Sequence, residues 1–321
     1  MIDIQWTNRT MVNTVIAMTH LRGLGYLLGL QGAALLRGMR EGTADRAFVE
    51  RRIDEIRQLL DDPALNADEG VDASLGDIST NDVYQQWAPA YDGPNTMIDL
   101  EEPLIHSILD DLPLGTVLDA ACGTGRYAAH LAEKGHRVIG VDASPDMLAV
   151  ARKRLPDVDL HVAGLEALPL PDDSVDIVVC GLALAHVPDL VPVMAEFARV
   201  LRPGGHLVIS DAHQLLSYVR PTLARYAEDG APPSILVEHH RPLSAYLAAA
   251  LPMGFQVRHC AEPKSPRESR SQLDEPLSDP PPTHVSWEIQ GWCPEAAAIA
   301  NDVPSIVIWH FQLDDEAKSG Q

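Results

Sequence analysis

The sequence predicts an α/β protein built on a doubly wound, mostly parallel sheet of seven strands, preceded by an N-terminal helical extension. From Val83 onward, short apolar runs alternate with helical segments, which is the pattern of consecutive βαβ units. The runs are apolar without interruption, as is typical of parallel strands that are covered on both faces. A glycine-rich turn also joins one of these strands directly to the next helix. These observations favour one sheet with helices on both sides.

Each element follows from its local pattern. We expect the strands at Thr116–Ala120, His136–Val141, Leu160–Val162, Val175–Cys180, His206–Ser210, Gly254–Val257 and Ser305–Trp309. We expect helices between the first strands and before the fifth, at Arg126–Lys134, Pro145–Arg154 and Leu190–Leu201.

The first quarter of the chain has a different pattern. Apolar residues at helical spacing predict helices over 12–39 and 44–61, and Pro63–Asn81 has the composition of a linker. We therefore divide the chain into an extension, residues 1–75, and a main domain, residues 76–321. The extension is expected to serve in packing or dimerisation, or to cover a substrate. Within the main domain, the proline-rich segment 262–283 is predicted to be a mobile surface loop.

Charge excludes some partners. The 321 residues carry 24 Lys and Arg against 46 Asp and Glu, a net charge of −22, while 46% are hydrophobic, as in a globular protein. Residues 76–212 are the most acidic part, with 21 acids and 8 bases. Such a surface repels phosphate backbones and anionic lipids, so we expect neither nucleic acid nor a membrane as a partner.

The cysteines and the first residues bear on location. Cys122, Cys180, Cys260 and Cys293 lie far apart in sequence, which indicates neither a disulfide framework nor a zinc site. No signal peptide is recognisable, and the apolar stretch Met11–Leu36 is interrupted by polar residues and glycines. We expect a cytoplasmic protein without a metal.

The most informative segment is the turn after the first predicted strand of the sheet. Gly123 and Gly125 allow a tight turn and the close approach of a ligand, and the following helix begins with free N–H groups. Asp142 ends the next strand, nineteen residues after Gly123. An acid at that place can accept both ribose hydroxyls of an adenosine cofactor.

Two cofactors fit this turn. Gly123, Gly125 and Ala128 also match the dinucleotide fingerprint, so an NAD-dependent oxidoreductase is an alternative. Asp119, four residues before the first glycine, favours S-adenosylmethionine, because a carboxylate attracts its ammonium and sulfonium groups and repels a pyrophosphate. A protein that binds this cofactor for a non-methylating or regulatory purpose is a third reading.

Five ordered motifs resemble those of class I S-adenosylmethionine-dependent methyltransferases, of the subgroup that includes ubiquinone/menaquinone-type and many small-molecule enzymes. The resemblance covers about residues 82–212, and it implies a Rossmann-like methyltransferase fold. It rests on an aromatic segment and on the ends and turns of the predicted strands, in the stretches Tyr84–Asp92, Asp119–Gly125, Gly140–Leu148, Glu166–Pro171, Asp176–Cys180 and Val200–Leu207.

The resemblance also implies roles for matching positions. Asp119 and the Gly123–Gly125 backbone would hold the methionine part, Asp142 would hold the ribose, and Ala121 is a further candidate cofactor contact. Ala143 and Met147 would flank the adenine, while Cys180 and Gly181 would line the sulfonium end. Relatives usually have an acid for the adenine amine where this chain has Gly164. In this chain the backbone groups of Gly164 and Leu165 would bind the adenine instead of an acidic side chain.

Aromatic residues precede the first strand of the sheet. Trp87 and Tyr91 are four residues apart and would share a helical face. In the family this segment folds over the cofactor, where an aromatic ring suits a sulfonium cation. Tyr91 is therefore a candidate cofactor contact, and Tyr84 and Trp87 are candidate substrate contacts. Plain packing is the alternative for each.

Histidines after the fourth and fifth predicted strands are candidates for chemistry, because ligands lie at the carboxyl ends of parallel strands. His186 is the candidate catalytic residue, as a base for the acceptor, or else a structural histidine. His213 and Tyr218 are candidate substrate contacts, with solvent exposure as the alternative for His213. The cluster Glu238–His240 offers a metal ligand set, a substrate contact through His239, or an ordinary loop.

These features predict a methyltransferase that moves a methyl group to oxygen or nitrogen, and less readily to carbon, of a small organic molecule. The expected cofactor is S-adenosyl-L-methionine, with S-adenosyl-L-homocysteine as its product. A homodimer through the N-terminal helices is compatible with the extension.

Overall fold

The computed structural model of the chain describes residues 17–76, 78–88, 91–93, 95–220, 233–264 and 287–315. Its strands are β1 Ala17–Leu21, β2 Val71–Leu75, β3 Thr116–Ala120, β4 Arg137–Asp142, β5 Asp159–Val162, β6 Val175–Gly181, β7 Leu201–Ala212, β8 Ser234–Ile235, β9 Phe255–Ala261 and β10 Ile306–Leu313. Its α-helices are α1 Gly23–Glu41, α2 Arg46–Asp61, α3 Pro63–Ala67, α4 Thr80–Trp87, α5 Thr96–Asp110, α6 Arg126–Glu133, α7 Pro145–Arg154, α8 Leu190–Val200, α9 Leu243–Ala250 and α10 Pro294–Ala300.

Seven strands form the main sheet in the order β5-β4-β3-β6-β7-β10-β9. The first five of these run parallel, while β10 is antiparallel to both β7 and β9. The predicted fold class, a doubly wound and mostly parallel seven-stranded sheet, is confirmed. The chain reverses its direction of growth along the sheet between β3 and β6, which is where ligands bind in such sheets.

Both faces of the central strands are buried, as their uninterrupted apolar sequences predict. On β3, Val117 packs with Ile105 of α5 and Leu131 of α6, whereas Leu118 packs with Phe197 of α8 on the other face. Successive side chains of a strand point to opposite faces, so a fully apolar strand supplies both layers of core.

The N-terminal extension is not wholly helical. Residues 17–21 belong to β1, so the helix predicted over 12–39 begins instead at Gly23 and ends at Glu41. The predicted linker Pro63–Asn81 contains α3 and β2. The reason is non-local pairing: β1 is antiparallel to β2, and β2 runs parallel to β8, more than 150 residues later. Local periodicity contains no information about such partners.

The extension shares a second apolar core with the end of the chain. Leu27 and Leu30 of α1 are buried together with Ile289 and with Ala296 and Ala297 of α10. The predicted division at residue 75 stays a prediction, but this core crosses it.

The described residues include no helix that is both long and apolar enough to span a bilayer. Of the predicted loop 262–283, only residues 262–264 lie within the described parts of the chain.

Candidate functional site

A cavity of about 200 Å³ opens at the carboxyl ends of β3, β4 and β6. The residues around it come from the turns after these strands and after β5, and from α4 and the segment that follows it. They are Thr80, Asn81, Tyr84, Tyr91, Ala121, Gly123, Asp142, Ala143, Ser144, Met147, Ala163, Gly164, Leu165, Glu166, Gly181, Leu182, Ala183, His186 and Val187.

The turn after β3 has a left-handed backbone at alternate positions. The φ angles are 59° at Ala121, 54° at Gly123 and 83° at Gly125, a region that residues with a side chain rarely adopt. Gly125 donates its N–H to the carbonyl of Cys122 at 2.8 Å and caps the start of α6. The turn therefore exposes the backbone of Ala121 and Gly123 to the cavity.

Asp142 holds two turns in place. Its Oδ2 accepts the N–H of Gly123 at 2.8 Å and its Oδ1 accepts the N–H of Ser144 at 2.7 Å. Burial raises the pKa of this carboxyl, although both hydrogen bonds favour the charged form. The carboxylate is thus fixed at the wall of the cavity, where a ribose would meet it.

Asp119 lies beneath the turn and does not line the cavity. It is 1% exposed, and its Oδ2 accepts the N–H of Ala128 at 2.9 Å, which links the end of β3 to the first turn of α6. Burial raises its pKa to about 7. The attraction to a sulfonium that the sequence suggests would therefore act from behind the turn.

The cavity brings together most of the residues predicted to bind the cofactor. Nine of the twelve line it, namely Tyr91, Ala121, Gly123, Asp142, Ala143, Met147, Gly164, Leu165 and Gly181. Of the others, Asp119 and Gly125 support the turn from behind, and the side chain of Cys180 is buried in the core. At Gly181 any side chain would overlap the ring of Tyr127, so this strand end has to be glycine.

Glu166 is a lining residue that the sequence reasoning missed. A Cβ added to Gly164 would lie 2.9 Å from the Glu166 Oε2, so the glutamate carboxylate comes back to the position where relatives have an acid. The sequence did contain a signal for this residue, because Glu166 stands two positions after Gly164, the glycine that replaces the acid of the relatives.

Aromatic side chains form part of the cavity wall. The Tyr84 hydroxyl and His186 Nε2 are 2.8 Å apart, with their rings edge to face at 5.4 Å between centroids. The Tyr84 and Tyr91 rings lie 5.9 Å apart. Burial raises the pKa of both tyrosines, so they present neutral phenols.

The short 3₁₀ turn Leu184–His186 is fixed from two sides. Asp211 Oδ1 accepts the N–H of Ala185 at 3.1 Å. Arg241 donates to the carbonyl oxygens of Leu184, at 2.8 Å, and of Val187. These contacts hold His186 at a defined place in the cavity wall.

The acid and histidine cluster at 238–240 packs against this turn. The N–H of His239 donates to the Ala185 carbonyl at 2.6 Å, and His240 Nε2 lies 3.2 Å from Glu238 Oε2. Burial opposes the charge on Glu238, but His240 and Arg220 together lower its pKa to about 2. No group of three or more potential metal ligands was found among the described side chains.

Three predicted substrate residues lie elsewhere. His213 is buried, its Nε2 lies 2.7 Å from Glu262 Oε1, and its Nδ1 accepts the N–H of Leu215; the expectation of solvent exposure is therefore wrong. Tyr218 is 72% exposed and, like the His239 side chain, does not line the cavity. The side chain of Trp87 is outside the described part.

A polar strap connects the segment after α4 to the glycine turn. Asp92 Oδ1 accepts the Thr124 hydroxyl at 2.6 Å, and its Oδ2 accepts Arg154 Nη2 at 2.5 Å. Arg154 also donates to the Thr124 carbonyl at 3.2 Å. Because Tyr91 precedes Asp92, the strap fixes this aromatic ring over the cavity.

The charge of the lining favours a cationic ligand. Asp142 and Glu166 are its carboxylates, and no Lys or Arg is among the described residues that line it. Carboxylates, aromatic rings and backbone groups suit an adenosyl sulfonium, whereas the phosphates of a dinucleotide would find no cation here.

Comparisons with known proteins find relatives for the central part of the chain. Residues 118–209 match the family model described as a methyltransferase domain. A demethylmenaquinone methyltransferase of Listeria welshimeri is 37% identical over 149 residues, which are 41% of this chain and 61% of that protein. The equally named protein of Renibacterium salmoninarum is 29% identical over 187 residues, covering 56% of this chain and 69% of the relative.

Solved structures share the fold. The methyltransferase bound to the Trm112 activator of Haloferax volcanii superposes with a TM-score of 0.54 at 22% identity, over 74% of this chain and 98% of that one. An S-adenosylmethionine-dependent methyltransferase from Mesorhizobium loti is 26% identical with a TM-score of 0.48, over 66% and 97% of the two chains.

Residues 118–209 thus match a methyltransferase domain, and the fold and the relatives' names agree with an S-adenosylmethionine-dependent domain of class I, for which S-adenosylmethionine is the cofactor. The chain spans about 61% of the length of the first curated relatives it matches.

Proposed function

We propose that this protein transfers the methyl group of S-adenosylmethionine to an oxygen or nitrogen of a small organic acceptor, with carbon as a less favoured target. The observation that supports this proposal is a cavity whose lining combines two kinds of chemistry. It includes the glycine turn and Asp142, and also the side chains of Tyr84 and His186. The first set would hold the cofactor, and the second would face the acceptor.

The cofactor would lie along the carboxyl ends of the strands. In this arrangement Asp142 would accept from the ribose hydroxyls and Glu166 from the adenine amine. Met147 and Leu165 would flank the base, and the ring of Tyr91 would lie beside the sulfonium.

The chemistry asks little of the protein beyond alignment. Methyl transfer is an in-line displacement in which the C–S bond breaks and sulfur leaves as a neutral thioether, so no anion needs stabilising. Holding the acceptor atom, the methyl carbon and sulfur in line supplies much of the rate.

The relatives' names support a small-molecule acceptor, since demethylmenaquinone is a small organic molecule. The negative charge of the chain argues against nucleic acid as the acceptor. A protein that binds the cofactor without methyl transfer is the second candidate, and an NAD-dependent oxidoreductase is disfavoured by the lining.

Two further expectations concern the environment of the protein. A homodimer through the N-terminal helices is favoured by Leu36 and Met39 on α1, which are 72% and 57% exposed. Four unpaired cysteines fit a reducing compartment, and we propose the cytoplasm.

Isothermal titration calorimetry with S-adenosylhomocysteine tests the cofactor assignment. Asp142→Ala should weaken binding by about 10- to 100-fold, because it removes the ribose contact and both clamps on the turns. Glu166→Gln should weaken it less. Asp146→Ala, which removes an exposed acid from the next helix, is the matched control and should bind as the wild type does.

Two results would contradict this assignment. Unchanged affinity in Asp142→Ala would show that the turn is not the binding site. Tight binding of NAD, with none of S-adenosylhomocysteine, would favour the oxidoreductase. Methyl transfer itself is measured by mass spectrometry of candidate acceptors incubated with S-adenosylmethionine.

A further inference from the structure

The lining of the cavity includes a hydrogen-bonded phenol and imidazole. Tyr84 and His186 both line the cavity, and their side chains meet at 2.8 Å between the hydroxyl and Nε2. They come from α4 and from the turn after β6, which are 102 residues apart in sequence. The fold therefore brings a phenol, which can donate a proton, next to an imidazole, which can accept one. Both lie beside the place where the methyl-accepting molecule would bind.

The imidazole cannot be reached directly by an acceptor. Its Nε2 is engaged by the Tyr84 hydroxyl, and its Nδ1 is buried without a hydrogen-bond partner among the described residues. The basicity of His186 is thus available to a molecule in the cavity through the phenol oxygen. This arrangement differs from the simple expectation that His186 takes a proton from the acceptor itself.

The pair is held in this geometry before any ligand binds. Asp211 and Arg241 fix the turn that carries His186, through the N–H of Ala185 and the carbonyls of Leu184 and Val187. On the other side, α4 begins with a reciprocal capping box between Ser79 and Asp82. A fixed pair needs no reorganisation when a proton moves.

Resting on the proposed function, we propose that Tyr84 and His186 form a proton relay for an acceptor with a phenolic or enolic hydroxyl. As the acceptor oxygen bonds to the methyl carbon, the C–S bond breaks and its electron pair stays on sulfur. The hydroxyl proton passes to the Tyr84 oxygen while the Tyr84 proton passes to His186 Nε2. The positive charge of the sulfonium thereby reappears as the imidazolium, which loses its proton to water after product release.

The basicity of His186 decides how acidic the hydroxyl of the methyl acceptor has to be. Burial lowers the pKa of His186. Among the titratable groups around it, Arg220, His239 and His240 also lower this pKa, whereas Glu238 raises it. The imidazole is therefore neutral at pH 7 and is a weak base. It matches a phenol or an enol, whereas an aliphatic alcohol is too weak an acid for it. Tyr91, Asp142 and Glu238 raise the pKa of Tyr84, and Arg220 opposes them.

Methyl transfer to a panel of substituted phenols, aliphatic alcohols and amines tests the relay, with Tyr84→Phe and His186→Gln as variants. Tyr84→Phe should lower kcat for a phenol by about 10²- to 10⁴-fold, with the affinity for S-adenosylhomocysteine within threefold of wild type. His186→Gln keeps a hydrogen bond to the phenol but not the base, so it should lose the acidic limb of the kcat–pH profile. His161→Gln on β5, away from the cavity, is the control.

The outcomes separate the relay from the proposed function. Transfer to phenols with kcat of Tyr84→Phe within threefold of wild type would overturn the relay and leave the methyltransferase intact. Transfer to amines or alcohols, but to no phenol, would also overturn it. Cofactor binding without transfer to any acceptor would contradict both proposals. A variant that loses cofactor affinity in parallel with kcat would show that Tyr84 only closes the cavity.

Discussion

At the scale of single residues, Asp119 shows how a carboxylate can serve a site that it does not touch. It is buried beneath the glycine turn and bonds to the first turn of α6. Its position in the sequence suggests direct contact with the cofactor, which stays a prediction, and the structure shows that it links strand and helix. The two roles can be distinguished by removing the charge of Asp119. A structural hydrogen bond would change mainly the stability of the protein, whereas a direct charge contact would change its affinity for the cofactor.

We expect Asp119→Asn to change how the free energy of unfolding depends on pH. Burial raises the pKa of Asp119 in the folded protein to about 7, above that in the unfolded chain. Between about pH 4 and 7 the folded state then binds the extra proton, so Asp119 lowers stability as pH rises. Asparagine keeps an acceptor for the Ala128 N–H and does not titrate.

Urea unfolding of both proteins from pH 4 to 8 measures this effect. The stability of Asp119→Asn relative to wild type should rise over this range and level off above pH 7. A constant difference would show that the carboxylate is already ionised in the folded state at pH 4. A large loss of cofactor affinity in this variant would favour a direct charge contact.

The sequence sufficed for the residues of the turn, because Gly123 and Asp142 belong to a compact motif with fixed spacing. It did not suffice for Glu166 or for Arg154. Glu166 supplies a carboxylate only because its side chain folds back toward Gly164, and Arg154 meets Asp92 across 62 residues of sequence. Such contacts depend on side-chain packing, which no local pattern encodes.

At the scale of elements, the strap at Asp92 connects the aromatic segment with the glycine turn. We expect Asp92→Ala to release Tyr91 and to weaken S-adenosylhomocysteine binding by about 0.5–1.5 kcal/mol, or roughly two- to tenfold. The effect is modest because Asp92 and Arg154 are each about one-third exposed and their ion pair is screened by solvent.

Calorimetry of S-adenosylhomocysteine binding to Asp92→Ala checks this expectation, with Asp99→Ala as the control variant. Asp99 is an exposed acid in the first turn of the following helix, so its removal changes the charge equally without touching the strap. If both variants bind like the wild type, the strap does not order the aromatic wall.

Elements of the main sheet were predictable, because its central strands contain continuous apolar runs between turn residues. The small sheet of β1, β2 and β8 was not. Its strands are two to five residues long, and β2 is interrupted by Asp72 and Ser74. Their pairing with distant partners outweighs local propensity, so helix and linker were the natural expectations for these segments.

At the scale of the whole molecule, the core shared by α1 and α10 decides how the chain unfolds. We expect Leu30→Ala to lower the free energy of unfolding by about 2–5 kcal/mol, since Leu30 is 2% exposed in that core. If the extension and the main domain fold as one unit, a single unfolding transition moves to lower urea concentration.

Urea unfolding followed by circular dichroism and by tryptophan fluorescence measures both the loss of stability and the number of transitions. Leu114→Ala, at a position in the main domain that is 69% exposed, is the matched control and should change stability by less than about 0.5 kcal/mol. Two transitions, of which Leu30→Ala moves only the first, would show that the extension is a separate domain with its boundary near residue 75.

The pairing of α1 with α10 also has a consequence for biosynthesis. The two helices are separated by more than 250 residues. At the usual rates of translation, α1 leaves the ribosome roughly tens of seconds before α10 has been made. During that time Leu27 and Leu30 lack their final partners. The nascent chain therefore has to shield this apolar stripe, by a chaperone or by transient contacts, until α10 has been made.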